Sequence, residues 1–408
     1  MAVGLKQPGK LFPVQGVRLA AIHSGIKTNP EMMDLVLLEL SEKANLAATF
    51  TTNRFCAAPV TVAKEHLEKQ LLEKHGAIRY LLVNSGNANA GTGEQGNQDA
   101  LTCCQAVAER GSCLAERVLP FSTGVIATKL PAAAICKAVP NLFDALEEDK
   151  WLEAAQGIMT TDTFPKGITE QVIVSGETVT ITGITKGSGM IKPDMATMLA
   201  YVATDAEIEE NLLNDLIKQA VACSFNSITV DGDTSTNDAC ILIATGQAGV
   251  EVDAECSHFI QALIRVFKHL AQSIIRDAEG ATKFVEIEVK NALTIEDARE
   301  VGYTVAHSPL VKTALFASDP NWGRILAAVG RAKIDILDVS RIDLYLGNTC
   351  LLKNGMPDSQ YREELGQLEM NKEEIKITVD LNQGPCNASI WTSDLSYEYV
   401  KINAEYRS

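Results

Sequence analysis

The sequence predicts a layered α/β protein of the α+β kind, and three observations carry that expectation. Short runs rich in β-branched residues alternate with longer stretches whose apolar residues recur at helical spacing. Of the 408 residues 46% are apolar and 22% charged, the balance of a folded globular chain rather than a disordered one. No run of 18 apolar residues occurs, so a transmembrane helix is not expected.

The elements follow in order along the chain. Residues 78–83 read as a strand and 98–109 as a helix, and 171–182 has the β-rich character of a strand. From 206 to 223 the residues Ile208, Leu212, Leu213, Leu216 and Ala220 mark the apolar face of a helix, which runs into a strand at 227–230. The longest helical candidate covers 254–278, with Phe259, Leu263, Phe267, Leu270 and Ile274 on one side. Strands are expected at 284–289, 333–337, 375–379 and 397–402. No internal repeat, low-complexity stretch or long linker divides the chain.

Charge and cysteine content narrow the class of partner. Thirty-six Lys and Arg face 52 Asp and Glu, a net charge of −16, and no block of basic residues offsets it. Nucleic acid and anionic membrane surfaces are therefore not expected partners. The first residues lack a basic region followed by an apolar run, so no secretory signal is expected and the chain reads as cytoplasmic. Ten cysteines in a chain this long do not make a disulfide scaffold; Cys103, Cys104, Cys113 and Cys136 read as small buried hydrophobes. Neither C-x-x-C nor H-E-x-x-H occurs, which leaves a metal site without support.

Three polar segments are candidates for chemistry. The stretch NSGNANAGTG at 84–93 could turn backbone N–H groups toward an anion, but it matches neither G-x-G-x-x-G nor a P-loop. An Asn- and Gly-rich structural turn is the better reading. The stretch DGDTSTND at 231–238 fails the calcium-loop pattern, which needs Gly and Glu where Thr236 and Leu242 stand. It reads as a hydrogen-bonded loop that could line a polar site. The third is TKGSGMIKPDMATMLA at 185–200. Generically Thr197 is a buried strand residue, because β-branched residues suit strands and no local base activates its hydroxyl. Cleavage between Ala196 and Thr197 would supply one: the new α-amino group, with a pKa of about 7.7–8, is a base near neutral pH. The glycines of Gly187-Ser188-Gly189, with Pro193, would let the backbone bend there.

This segment resembles the processing site of the ornithine acetyltransferase family, the bifunctional arginine-biosynthesis proteins. The likeness extends over most of the chain, through NSGNANA at 84–90, STGVI at 122–126 and MTTDT at 159–163. It continues through 226–238, EGATK at 279–283, DPNWGR at 319–324 and KINAEYRS at 401–408. The resemblance implies a fold similar to that of the DmpA-type aminopeptidases, a sandwich of helices and sheets with self-cleaving, N-terminal-nucleophile chemistry. It implies an α chain of residues 1–196 carrying the oxyanion hole and a β chain of 197–408 starting at the nucleophile. The two form one composite enzyme, typically an α2β2 heterotetramer.

Carried over by matching motif, Thr197 is the cleavage residue and acetyl-accepting nucleophile, and Thr123 and Gly124 form the oxyanion hole. Lys186, Glu279, Asn403 and Ser408 match residues that hold the amino-acid substrate, as does one threonine of 160–163, with Thr163 favoured. The implied reaction moves acetyl from N2-acetylornithine to glutamate; some members also accept acetyl-CoA as donor, and no metal or prosthetic group is implied. Many members carry His or Ala followed by Pro-Asn before the cleaved pair, where this chain has Lys192-Pro193-Asp194. Two other classes fit the residues: a hydrolase with the same N-terminal nucleophile, and an uncleaved, non-catalytic amino-acid-binding protein.

Overall fold

The computed structural model describes residues 2–73, 76–192 and 198–405. The chain opens with β1 (Val17–Ile22), β2 (Leu35–Leu40), β3 (Asn45–Phe50), α1 (Ala58–Glu73), β4 (Tyr80–Asn87), α2 (Gly93–Gly111), β5 (Val118–Val125), α3 (Ala132–Asp144) and α4 (Trp151–Gly157). Its middle holds β6 (Lys166–Val174), β7 (Glu177–Lys186), β8 (Leu199–Thr204), α5 (Glu210–Ala222), β9 (Ile228–Thr229), β10 (Ala239–Ala244) and α6 (Ser257–Arg276). The last third has β11 (Phe284–Ala292), α7 (Ile295–Ala306), α8 (Pro309–Phe316), α9 (Trp322–Val329) and β12 (Asp343–Leu346). After them come β13 (Thr349–Lys353), β14 (Met356–Pro357), α10 (Glu363–Met370), β15 (Glu374–Asp380), β16 (Cys386–Ser393) and α11 (Tyr397–Glu405).

Two sheets stack face to face between helices. One has the order β1-β2-β4-β5, the other β3-β10-β8-β7-β6. The central strands β8 and β10 are buried along their whole length, so their side chains alternate between two apolar layers. Leu199, Tyr201 and Ala203, with Ile241 and Ile243, face the first sheet's Leu38, Leu81 and Phe121. Ala200, Val202 and Leu242 face α5 and α6, including Leu213, Phe259 and Phe267. On the outer side of the first sheet, Leu37, Tyr80 and Leu82 pack on Cys103, Cys104 and Val107 of α2 and on α3. The arrangement is α-β-β-α, layered as expected. A third sheet, β14-β13-β12-β15-β11-β16-β9, covers its own core with α7, α8 and α9.

Several elements match their expected positions: β4, α2, α6, β11 and β15 overlap the predicted segments, and all five stripe residues of α6 are fully buried. Three differ. Residues 171–182 are not one strand but a hairpin, β6 turning into β7 at Ser175 and Gly176, both with positive φ as a two-residue turn requires. Residues 333–337 form no strand; Ile334 and Leu337, three apart, pack on the third core without a ladder partner. Residues 397–402 are helical. Ser396 Oγ accepts the Tyr399 N–H at 3.3 Å while donating to the Gly280 carbonyl, which starts α11, and the apolar Tyr397 and Val400 stand 82% and 62% exposed. The alternating pattern there has no sheet edge to join.

Candidate active site

One cavity of about 250 Å³ opens where the two stacked sheets, the end of α6 and α11 meet. Thr123 and Gly124 reach it from the carboxyl end of β5, Lys186 from the end of β7, and Glu279 from the turn after α6. Asn403 on α11 completes that side, and Ser235 to Asp238, ahead of β10, supply another polar wall. Ile191 and Met198 line the same cavity. Ala196, Thr197 and Ser408 lie outside the described residues.

Thr123 and Gly124 sit on an asparagine scaffold. At the irregularity between the parallel strands β4 and β5, Gly124 has φ of 135°, and a Cβ there would fall 2.3 Å from the Gly86 carbonyl carbon. Only glycine lets the two backbones meet so closely. Around it, Ser122 Oγ donates to Asn84 Oδ1 at 2.6 Å, and Asn89 N–H donates to Asn87 Oδ1 at 2.8 Å. Asn237 Nδ2 donates both to the Ala88 carbonyl (2.6 Å) and to the Ser122 carbonyl (2.9 Å), locking the 231–238 loop to both strands. Residues 84–87 of the expected turn are the end of β4 and only 88–92 form the turn into α2, while the 231–238 loop is a fastener whose residues 235–238 also line the cavity.

Behind Lys186 and the 160–164 segment lies an ionic cluster. Lys166 Nζ lies 2.6 Å from both Asp162 and Asp277, all three side chains being essentially inaccessible. Asp162 also accepts from Gly187 N–H (2.7 Å) and Thr160 N–H (3.0 Å). Burial disfavours its ionised form, yet the Lys166 and Lys186 ammoniums with the Gly187 N–H outweigh that and hold the carboxyl far below the usual range. Beside this network Lys27 donates to the Met33 and Met159 carbonyls, and burial pushes its ammonium down to about 8. On the α11 side of the cavity, Asn403 Nδ2 donates to Glu279 Oε2 at 2.7 Å. A Cβ on Gly189 would sit 2.4 Å from that carboxylate, so this glycine serves to admit Glu279 rather than to bend the chain.

Of the residues expected from sequence, Thr123, Gly124, Lys186, Glu279 and Asn403 converge on the cavity although up to 280 positions separate them. Thr163 does not join them. Its N–H and hydroxyl both bond to Asp277, and the threonines of that segment that line the cavity are Thr160 and Thr161, the latter 2.7 Å from Ser188 Oγ. Local sequence treats the three threonines alike; the buried aspartate that claims Thr163 lies 114 residues away. Lys166 carries no local signal of its place, since its charge marks it as a surface residue until its two partners are known. Among the described residues no group of three or more His, Cys, Asp or Glu is placed to hold a metal ion, and no helix is long and apolar enough to cross a membrane.

The ArgJ family model matches residues 18–408. The arginine biosynthesis bifunctional protein ArgJ of Pseudomonas syringae pv. tomato is 51% identical over 413 aligned positions, covering all of both chains, and that of Pseudomonas fluorescens is 51% identical with the same coverage. A crystal structure of the protein of that name from Bacillus halodurans is 38% identical, covers 50% of this chain and 96% of its own, and has a TM-score of 0.48. This chain belongs to the ArgJ family and is an acyltransferase of arginine biosynthesis.

Proposed function

We propose that the enzyme transfers the acetyl group of N2-acetyl-L-ornithine to L-glutamate through an acetyl ester on Thr197, after cutting its own chain at Ala196–Thr197. The cut yields chains of residues 1–196 and 197–408 that stay together, as an α2β2 heterotetramer in the cytoplasm. The observation that carries this reading is convergence: residues 123–124, 186, 279 and 403, matched to the family one by one, border a single cavity with the flanks of the cleavage segment.

In the first half-reaction the α-amine of Thr197 takes the proton of its own hydroxyl as the oxygen attacks the acetyl carbonyl. The Thr123 hydroxyl and Gly124 N–H hold the oxyanion that forms, usually the largest catalytic contribution. Collapse breaks the C–N bond, the proton passes to the departing amine, and ornithine leaves. Glutamate then brings its amine to the ester carbonyl by the same path reversed, and N-acetylglutamate leaves with Thr197 restored. Lys186 suits the substrate α-carboxylate and Glu279 the ornithine ammonium. Thr160 or Thr161 takes the place that Thr163 was expected to fill, and Ser408 and Asn403 complete the amino-acid site. The acyl donor carries the group transferred, so the reaction calls for no metal or prosthetic group; acetyl-CoA can be offered as an alternative donor in the same assay.

A denaturing gel with intact masses tests the cleavage. Two chains, the larger-numbered one beginning with threonine, are expected, and Thr197→Ala stays uncut. A single 44 kDa species in the wild type removes the general base and the mechanism together. Acetylornithine with and without glutamate tests the transfer: free acetate released at the same rate either way would mark a hydrolase instead.

A further inference from the structure

Lys186 Nζ lies 2.9 Å from Thr123 Oγ1. An ammonium has three N–H donors and no lone pair, so in this contact the threonine oxygen must accept. The hydroxyl has one proton, and it cannot point back at Lys186. Among the described residues no acceptor takes it, while Thr123 borders the cavity beside Gly124. We infer that Lys186 is the positioning residue of the oxyanion hole: its ammonium fixes the Thr123 O–H toward the reacting carbonyl and polarises it into a stronger donor. This role rests on the proposed acetyl transfer and comes in addition to any contact of the other two ammonium protons with a substrate carboxylate.

The placement of the lysine is rigid. It is the last residue of β7, paired with Leu199 of β8. On one side Thr185 Oγ1 donates to the Leu199 carbonyl at 2.9 Å, and on the other Gly187 N–H donates to Asp162. No salt bridge to a described residue diverts the ammonium. Asp162, Asp238 and Glu279 favour its charge from further away, and Lys166 and Lys27 oppose it. Burial pushes its pKa below the ordinary lysine value. Loss of the proton reverses the bond, because a neutral amine accepts from Thr123 and draws the hydroxyl away from the oxyanion. An alkaline fall in kcat follows from the same geometry.

The test compares Lys186→Met, Lys186→Arg, Thr123→Val and the Lys186→Met/Thr123→Val double variant, each quantified as cleaved enzyme. With acetylornithine and glutamate, Thr123→Val should lose roughly 100- to 1000-fold in kcat. Lys186→Met should lose about 10- to 100-fold in kcat, a positioning effect smaller than loss of the donor itself, and the double variant should be no worse than Thr123→Val alone. Lys186→Arg keeps a permanent charge with no lone pair and should lack the alkaline fall. Additive losses, or a Lys186→Met effect confined to KM, overturn the role. Should Lys186→Met stay uncleaved, Lys186→Arg decides alone, and an unchanged alkaline limb overturns the role. Absence of acetyl transfer by the wild type overturns the proposed function and this role with it; transfer with additive losses overturns this role only.

Discussion

The two walls of the cavity are held by different physics. Around Thr123 and Gly124 the fasteners are neutral amides: Asn84, Asn87, Asn89 and Asn237 satisfy backbone groups of β4, the turn after it, α2 and β5. Around Lys186 and the 160–164 segment they are buried ions, Lys166 between Asp162 and Asp277. A neutral amide network has no group that gains or loses a proton over the ordinary pH range. An ionic one aligns three segments at once, at the expense of sensitivity to protonation.

Breaking each wall should separate these roles. The largest effect is expected from Lys166→Met, which leaves two carboxylates buried together without their cation. Stability should fall by about 3–5 kcal/mol, read from the urea midpoint. Asn237→Ala comes next: it strips the donor from two carbonyls, and each group left unsatisfied costs about 1–3 kcal/mol. Its kcat should drop with little change in KM, because the oxyanion strand rather than the substrate site loosens; an equal rise in KM would show that the walls are not separable.

Glu279→Gln should act the other way. Losing a charged partner for an ammonium is worth about 1.5–3 kcal/mol, or roughly 10- to 100-fold in KM for acetylornithine, with kcat less affected. Thr163→Val should cost about 1–2 kcal/mol of stability through Asp277 while both KM values hold, whereas Thr161→Val should raise KM. The ionic cluster also carries a pH dependence, spread over the acid range. The pKa of Asp162 is depressed in the folded state, so its stabilisation is fully present above the ordinary aspartate value of about 4 and is lost as pH falls through the lower folded value. Wild-type urea midpoints should drop on acidification below pH 4, and Asp162→Asn should flatten that slope.

Much of the sandwich was legible in the sequence because its signals are local. The α6 stripe and the apolar and β-branched runs of β4, β11 and β15 carry their burial in their own spacing. Tyr397 to Ile402 misled because alternation of Tyr and Val is a strand signal only when an edge is available, and Ser396 capping a helix is equally local but weaker. The site was readable as far as ordered motifs reach, through Thr123, Gly124, Lys186, Glu279 and Asn403. The choice among Thr160, Thr161 and Thr163 was not readable, since it turns on Asp277.

By itself the sequence determined the layered α/β class, the most strongly periodic elements such as α2, α6, β11 and β15, and the order of the motifs that mark this family, because periodicity and motif spacing are properties of neighbouring residues. Tertiary structure alone decided that Lys186 meets Thr123 across 63 positions and that Asn237 reaches Ala88 across 149. It also decided that Lys166 is a buried ion and not a surface charge. Those pairings depend on which strand ends the sandwich stacks together. A hydrogen bond two or three ångströms long leaves no trace in the spacing of residues so far apart.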